Sequence, residues 1–95
     1  MSQPLREPLD PTAARSLIRA ILAMGTVRLS SHAEREMAHD RLDMGDCLNV
    51  LRGGWVGSID FERGTWRYQV CTNRITVVVA FRSATSLSIV TAWRI

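Results

Sequence analysis

Trp55-Val56-Gly57-Ser58-Ile59-Asp60-Phe61-Glu62-Arg63-Gly64-Thr65-Trp66-Arg67-Tyr68-Gln69-Val70 is a pair of β-forming runs with period-two alternation, divided by a two-residue Arg-Gly turn. A turn of that length sets the register of a hairpin, so Glu62 falls opposite Thr65, Asp60 opposite Arg67 and Ser58 opposite Gln69. Those six polar residues then share one face. The other face carries Trp55, Ile59 and Phe61 against Trp66, Tyr68 and Val70, and it is the predicted bed for helices.

Downstream the alternation continues, and β-formers dominate over 55–62, 65–72, 75–82 and 87–94, with turns at Asn73-Arg74 and Ser83–Ser86. This predicts four antiparallel strands. Ile75 to Phe81 is apolar on both faces apart from Thr76, the mark of a central strand covered on both sides. With an Asn73-Arg74 turn, Arg67 neighbours Ala80, Gln69 neighbours Val78, and Arg82 ends the same polar face. The register of the last loop leaves open whether Trp93 or Arg94 joins that face.

Upstream the period is helical. Asp10 caps, Pro11 takes the first helical position, and Ala14, Leu17, Ile18, Ile21 and Leu22 recur at three-four spacing until Gly25, predicting a helix over 11–24 with a left-handed glycine stop. Thr26–Leu29 reads as a short extended piece. Ser31 and Glu34 form a capping-box pattern for a mostly charged second helix over 32–41. Asp43 opens a third, with Met44, Cys47, Leu48 and Leu51 inward and Gly53 at its end. All three prolines lie in the first eleven residues, so 1–10 is expected to be an extended lead-in. The fold class predicted is α+β, one domain over 1–95 with three N-terminal helices packed on a four-stranded antiparallel sheet.

Ninety-five residues hold one core, and a hydrophobic share of 46% with 22% charged residues places the chain among globular rather than disordered sequences. No apolar run reaches the roughly 20 residues of a membrane span, and Met1-Ser2-Gln3-Pro4 has no basic flank leading into a hydrophobic stretch. A soluble, cytoplasmic protein without a membrane partner is the expectation. The net charge is +3, and all twelve basic residues are Arg. Arginine's planar fork grips phosphate oxygens and stacks on bases, which favours a nucleic-acid partner; codon bias alone also removes lysine from a chain. Cys47 and Cys71 lack the further ligands of a zinc site and read as reduced packing thiols.

Asp60 and Arg67 can be a cross-strand ion pair on a solvated sheet. Alternatively Arg63, Arg67, Arg82 and Arg94 form a basic floor for a phosphodiester, beside which no carboxylate pair is spaced to hold a metal. Such a floor binds RNA and, with one acid-base side chain, cleaves it by activating the 2′-hydroxyl, with no cofactor. His32, Glu36 and His39 share a helical face at i, i+4 and i+7, a spacing found in metal-carboxylate bundles but here without a second copy. It reads as an exposed polar face. His32 also starts its helix, where free backbone amides help dock a phosphate.

The order helix, short strand, two helices and antiparallel sheet resembles the RelE-like toxin superfamily. Ser30-Ser31-His32-Ala33-Glu34-Arg35-Glu36-Met37 is similar to the S-x-H-A-x-x-R-M opening of a RelE-like family of unknown function, with Glu36 where Arg is usual. From the first helix to Arg94 the chain resembles the motility-quorum-sensing-regulator toxins, which are mRNA interferases. Leu42-Asp43-Met44-Gly45-Asp46-Cys47-Leu48-Asn49-Val50-Leu51 is similar to their L-D-F-D-x-x-x-N-V-I, and Gly25-Thr26-Val27-Arg28 to their G-x-V-R.

The resemblance implies a toxin of a type II toxin-antitoxin system, a metal-independent endoribonuclease cutting single-stranded or ribosome-bound mRNA and neutralised by a cognate antitoxin. It places Arg63 at the family's catalytic Lys, Arg67 at its Gln and Arg94 at its terminal Lys. The family's catalytic Tyr falls near Thr72, with Tyr68 as the nearby substitute. Arginine holds its proton too tightly for acid catalysis at neutral pH, which leaves Tyr68, Glu62 and His32 as proton carriers. The alternative is a non-catalytic RNA-binding or protein-interaction module on the same fold, supported by the loss of the Lys and Gln.

Overall fold

Asp10 starts the first helix as its sequence requires. Its carboxylate accepts from the Ala13 amide at 2.8 Å, Pro11 stands where no amide is needed, and Ala14, Ile18 and Ile21 form the buried stripe of α1, Pro11–Met24. The structure, a computed structural model, describes residues 5–95; positions 1–4 of the expected lead-in lie outside the described residues. Leu5 and Leu9 pack against the core without joining a helix or strand.

Gly25 ends α1 but is extended, with φ −109° and ψ −157°, rather than left-handed. Glycine is needed here for close approach: a Cβ would overlap the Thr85 carbonyl, the same group that accepts from the Thr26 amide at 2.9 Å. That contact launches β1, Thr26–Leu29, which pairs in parallel with the last strand. The sheet therefore has five strands and is mixed, where four antiparallel ones were expected. Its order is β1-β5-β4-β3-β2, with β2 Trp55–Glu62, β3 Thr65–Cys71, β4 Ile75–Ser83 and β5 Ser86–Arg94. Four residues are too few to show a period, so the pairing of Thr26–Leu29 was hidden in the sequence.

α2, Ser31–His39, is capped by the Ser30 hydroxyl accepting from the Ala33 amide at 2.9 Å, not by a Ser31–Glu34 box. It ends two residues earlier than the charge pattern suggested, because Arg41 takes φ +54° and the Leu42 amide turns back to the Met37 carbonyl. Past the end of β1, α2 runs along β5 and buries Ala33 and Met37. α3, Met44–Gly53, has reciprocal Asp43–Asp46 capping and buries Cys47, Val50 and Leu51.

Arg63 and Gly64 both have positive φ, 51° and 78°, as a two-residue hairpin turn demands, and Glu62↔Thr65 and Asp60↔Arg67 pair as expected. A bulge between Val56 and Ile59 then shifts the register, leaving Gly57 and Ser58 together across from Gln69. Val56, not Trp55, faces the helices; Trp55 pairs with Cys71 and is 52% exposed. Phe61 and Trp66 keep the helix side but lie at the hairpin tip, their rings tilted against each other with centroids 5.1 Å apart, and Phe61 remains exposed.

Tyr68, Val70, Val77, Val79, Leu87 and Ile89 line the sheet under the helices. Tyr68 is fully buried there; its hydroxyl donates to Glu7 at 2.8 Å and accepts from the Leu9 amide at 3.0 Å. Burial, assisted by the Glu7 carboxylate, pushes its phenol up from 10.0 to about 12 against the pull of the Leu9 amide. Since the unfolded chain ionises first, stability is expected to be lost as pH rises from 10 through about 12. Tyr68 is the sole tyrosine, so tyrosinate absorbance reads it alone, and it should emerge only together with loss of the circular-dichroism signal. Ionisation near pH 10 with the fold intact would contradict this placement.

Candidate functional site

α1 and α3 pack on one face of the sheet, and α2 lies along β5 at its margin. On the opposite face Thr76, Val78 and Ala80 of β4 are nonetheless buried. Side chains of the flanking strands stand above them: Arg67, Gln69 and Cys71 on β3, and Ser88, Thr91 and Trp93 on β5. The face is therefore a trough floored by β4. A bulge at Val90, where the pairing steps from Val78↔Thr91 to Val79↔Ile89, bends β5 beside it.

One row of residues crosses all five strands near the trough's end. Asp60 pairs with Arg67; Arg67 stands beside Ala80, one step past Tyr68↔Val79; Ala80 pairs with Ser88, and Ser88 with Arg28. Above this row opens a cleft of about 470 Å³ lined by Ser30, His32, Glu62, Arg63, Arg67 and Val90. The hairpin tip forms one wall and the start of α2 the other. The positive φ of Arg63 and Gly64 places the first wall, and the Ser30 cap, with its amide bonded to the Ile89 carbonyl, places the second.

Of the residues singled out in the sequence, His32, Arg63 and Arg67 come together in this cleft, with Glu62. Arg82 lies on the same face outside the cleft, its Nε donating to the Ser88 hydroxyl at 3.0 Å. Tyr68 does not reach it: the phenol is on the helix side, because β3 alternates and Arg67 takes the open face. Arg94 does not reach it either. Ile75↔Arg94 pairing turns it away from the trough, where its backbone amide donates to the Asp40 carboxylate and its Nε to the Asp40 carbonyl, both at 2.8 Å. Trp93 is the residue that joins the open face. Ser30 and Val90, which also line the cleft, were missed because the pairing of β1 with β5 and the β5 bulge were not legible.

Arg67 pairs with Glu62, at 3.4 Å, and not with Asp60. The Arg67 side chain is 24% exposed against 63% for Glu62, and the Arg67 Nε is buried with no hydrogen-bond partner. A guanidinium with an unused buried donor beside an open cleft is suited to a bound anion, which supplies charge-assisted bonds. Among the described residues no three His, Cys, Asp or Glu side chains gather as a metal-ligand set; Glu36 and His39 stay exposed along α2. Cys47 is sealed in the core, and burial with the nearby Asp46 and Asp43 charges raises its thiol to about 11. Half-buried Cys71 accepts from the Thr76 hydroxyl at 3.8 Å.

The two arginines placed apart should behave differently. Arg94→Ala removes bonds that hold α2 to β5 and should lower stability by about 1 kcal/mol. Arg67→Met keeps the stem that covers Ala80, and the exposed pair it breaks contributes only about 0–1 kcal/mol, so its thermal midpoint should stay near wild type. Thermal melts of both variants check this, and a larger loss in Arg67→Met than in Arg94→Ala would reverse the assignment.

Comparison of the chain with protein-family models, with curated proteins and with solved structures finds no significant match.

Proposed function

We propose that the cleft between the hairpin tip and α2 binds single-stranded RNA and cleaves it without a metal ion, and that the protein is a RelE-like toxin. In this reading its substrate is mRNA, free or on the ribosome, and a cognate antitoxin holds it in check. The observation that carries the proposal is the Arg67 guanidinium with its unpartnered Nε, in one cleft with Arg63, Glu62 and His32. The resemblance supports it further by putting Arg63 and Arg67 at functional positions of those toxins.

In the proposed reaction a base takes the proton of a 2′-hydroxyl, whose oxygen attacks the adjacent phosphorus. The bond to the 5′-oxygen breaks, an acid protonates that oxygen, and a 2′,3′-cyclic phosphate remains. Arg67 and Arg63 balance the charge gathering on the phosphoryl oxygens. Neither can supply a proton near neutrality, and Tyr68 is buried on the far face, so His32 and Glu62 are the proton carriers, one on each wall. The second reading, a non-catalytic RNA-binding or interaction module, is favoured by arginine standing where those toxins carry Lys and Gln.

Purified protein incubated with a single-stranded RNA oligonucleotide in EDTA is expected to yield fragments ending in 2′,3′-cyclic phosphate. His32→Ala should slow cleavage by about 100-fold or more while retaining binding. Salt-sensitive binding by wild type with no cleavage would select the module reading, and cleavage requiring added Mg²⁺ would sink the metal-free mechanism.

A further inference from the structure

The trough continues beyond the cleft. Along β4 from Ala80 the next open-face residues are Val78, opposite Thr91, and Thr76, opposite Trp93. Their neighbours Val77 and Ala92 are core residues, so Trp93 stands on the same face as Arg67 and Ser88. The four steps from Ala80 to Thr76 span about 13 Å at ~3.3 Å per residue. Trp93 is 37% exposed at the trough's far end, and among the described residues it packs against no other ring, whereas Phe61 packs against Trp66 and Tyr68 against Phe81 in tilted pairs. Trp55 ends the same row of the sheet, but at its edge, where it lines a separate cavity with Thr12, Arg15 and Arg19 of α1.

Sites that hold single-stranded nucleic acid combine a basic track for the backbone with aromatic faces on which bases stack. The trough has both, in line: Arg63, Arg67, Arg82 and Arg28 at one end and an unstacked indole at the other. We propose that Trp93 is the base-stacking platform of the RNA path, holding a base a few nucleotides from the phosphate gripped by Arg67. This rests on reading the Arg67 cleft as an RNA site. Stacking requires an unpaired base, which accords with the single-stranded substrate already proposed.

The test is fluorescence anisotropy with a labelled single-stranded RNA oligonucleotide over a range of salt. Trp93→Ala should weaken binding by about 5- to 150-fold, the worth of one stacked base, and leave the salt dependence unchanged because no phosphate contact is lost. Trp93→Phe should restore most of the affinity. Arg67→Ala should instead flatten the salt dependence by about one phosphate, and Trp55→Ala should change nothing. For wild type, an abasic nucleotide scanned along the oligonucleotide should reproduce the Trp93→Ala loss at one position, and Trp93→Ala should lose nothing more there. Unchanged binding by Trp93→Ala, or an abasic scan with no sensitive position, overturns the platform while leaving the Arg67 site standing. Absence of RNA binding by wild type at low salt overturns both.

Discussion

Val78 and Ala80 have to leave water although no helix is available to cover them. β4 is apolar on both sides, yet the helices beneath it can bury only the residues that point their way, Val77, Val79 and Phe81. The second face is satisfied by the sheet itself. Residues of β3 and β5 rise around β4, and because those neighbours are long or polar, Arg67, Gln69, Thr91 and Trp93, the cover is made of arginine stem and indole rather than aliphatic packing. The burial that stabilises the middle strand thus produces the concavity in which a ligand can lie. Its walls are amphipathic: apolar toward β4, charged or aromatic toward solvent.

The edge of the sheet near β5 is handled by two devices in succession. β1 pairs with Ser86–Ile89, and where it ends α2 takes over along the rest of the strand, so the unpaired backbone of β5 is covered. The handover point is Ser30, which donates to Ile89 and caps α2 at once. His32 owes its place to that junction. At the other end of α2 Arg94 bonds the Asp40 and Arg41 carbonyls. The residue that the resemblance placed among the catalytic groups therefore bears on the cleft only through the helix carrying His32.

The helices were readable because their caps are local chemistry: Asp10, Asp43 and the apolar three-four spacing of α1 are written within a few residues of where they act. The tip of the hairpin was readable for the same reason, since Arg63-Gly64 leaves one register. What failed were features set at a distance. The β2 bulge moved Trp55 off the core side, and nothing near Gly57-Ser58 marks an extra residue until Val56 is seen against Val70. Gly25 does stop α1, but in an extended conformation and with a need for glycine set by Thr85, sixty residues away in sequence. At the site, parity along β3 put Arg67 in the cleft and Tyr68 under the helices, and strand alternation had already implied that split. Arg94 was lost to the ambiguity of the last loop, which the Val90 bulge resolves in favour of Trp93.

The charges in the cleft stand in an arrangement that a phosphate would change. Glu62 neutralises Arg67 through one 3.4 Å contact, with the carboxylate 63% exposed, and such a pair gains little over two solvated ions. In the proposed complex a phosphodiester takes the place of Glu62 on the guanidinium, in a bidentate contact that brings in the Nε now buried without a partner. In this proposal the event that anchors the substrate also releases the Glu62 carboxylate from Arg67, so that it can serve as a proton carrier. An arginine in this place is then compatible with acid-base chemistry, although it transfers no proton itself.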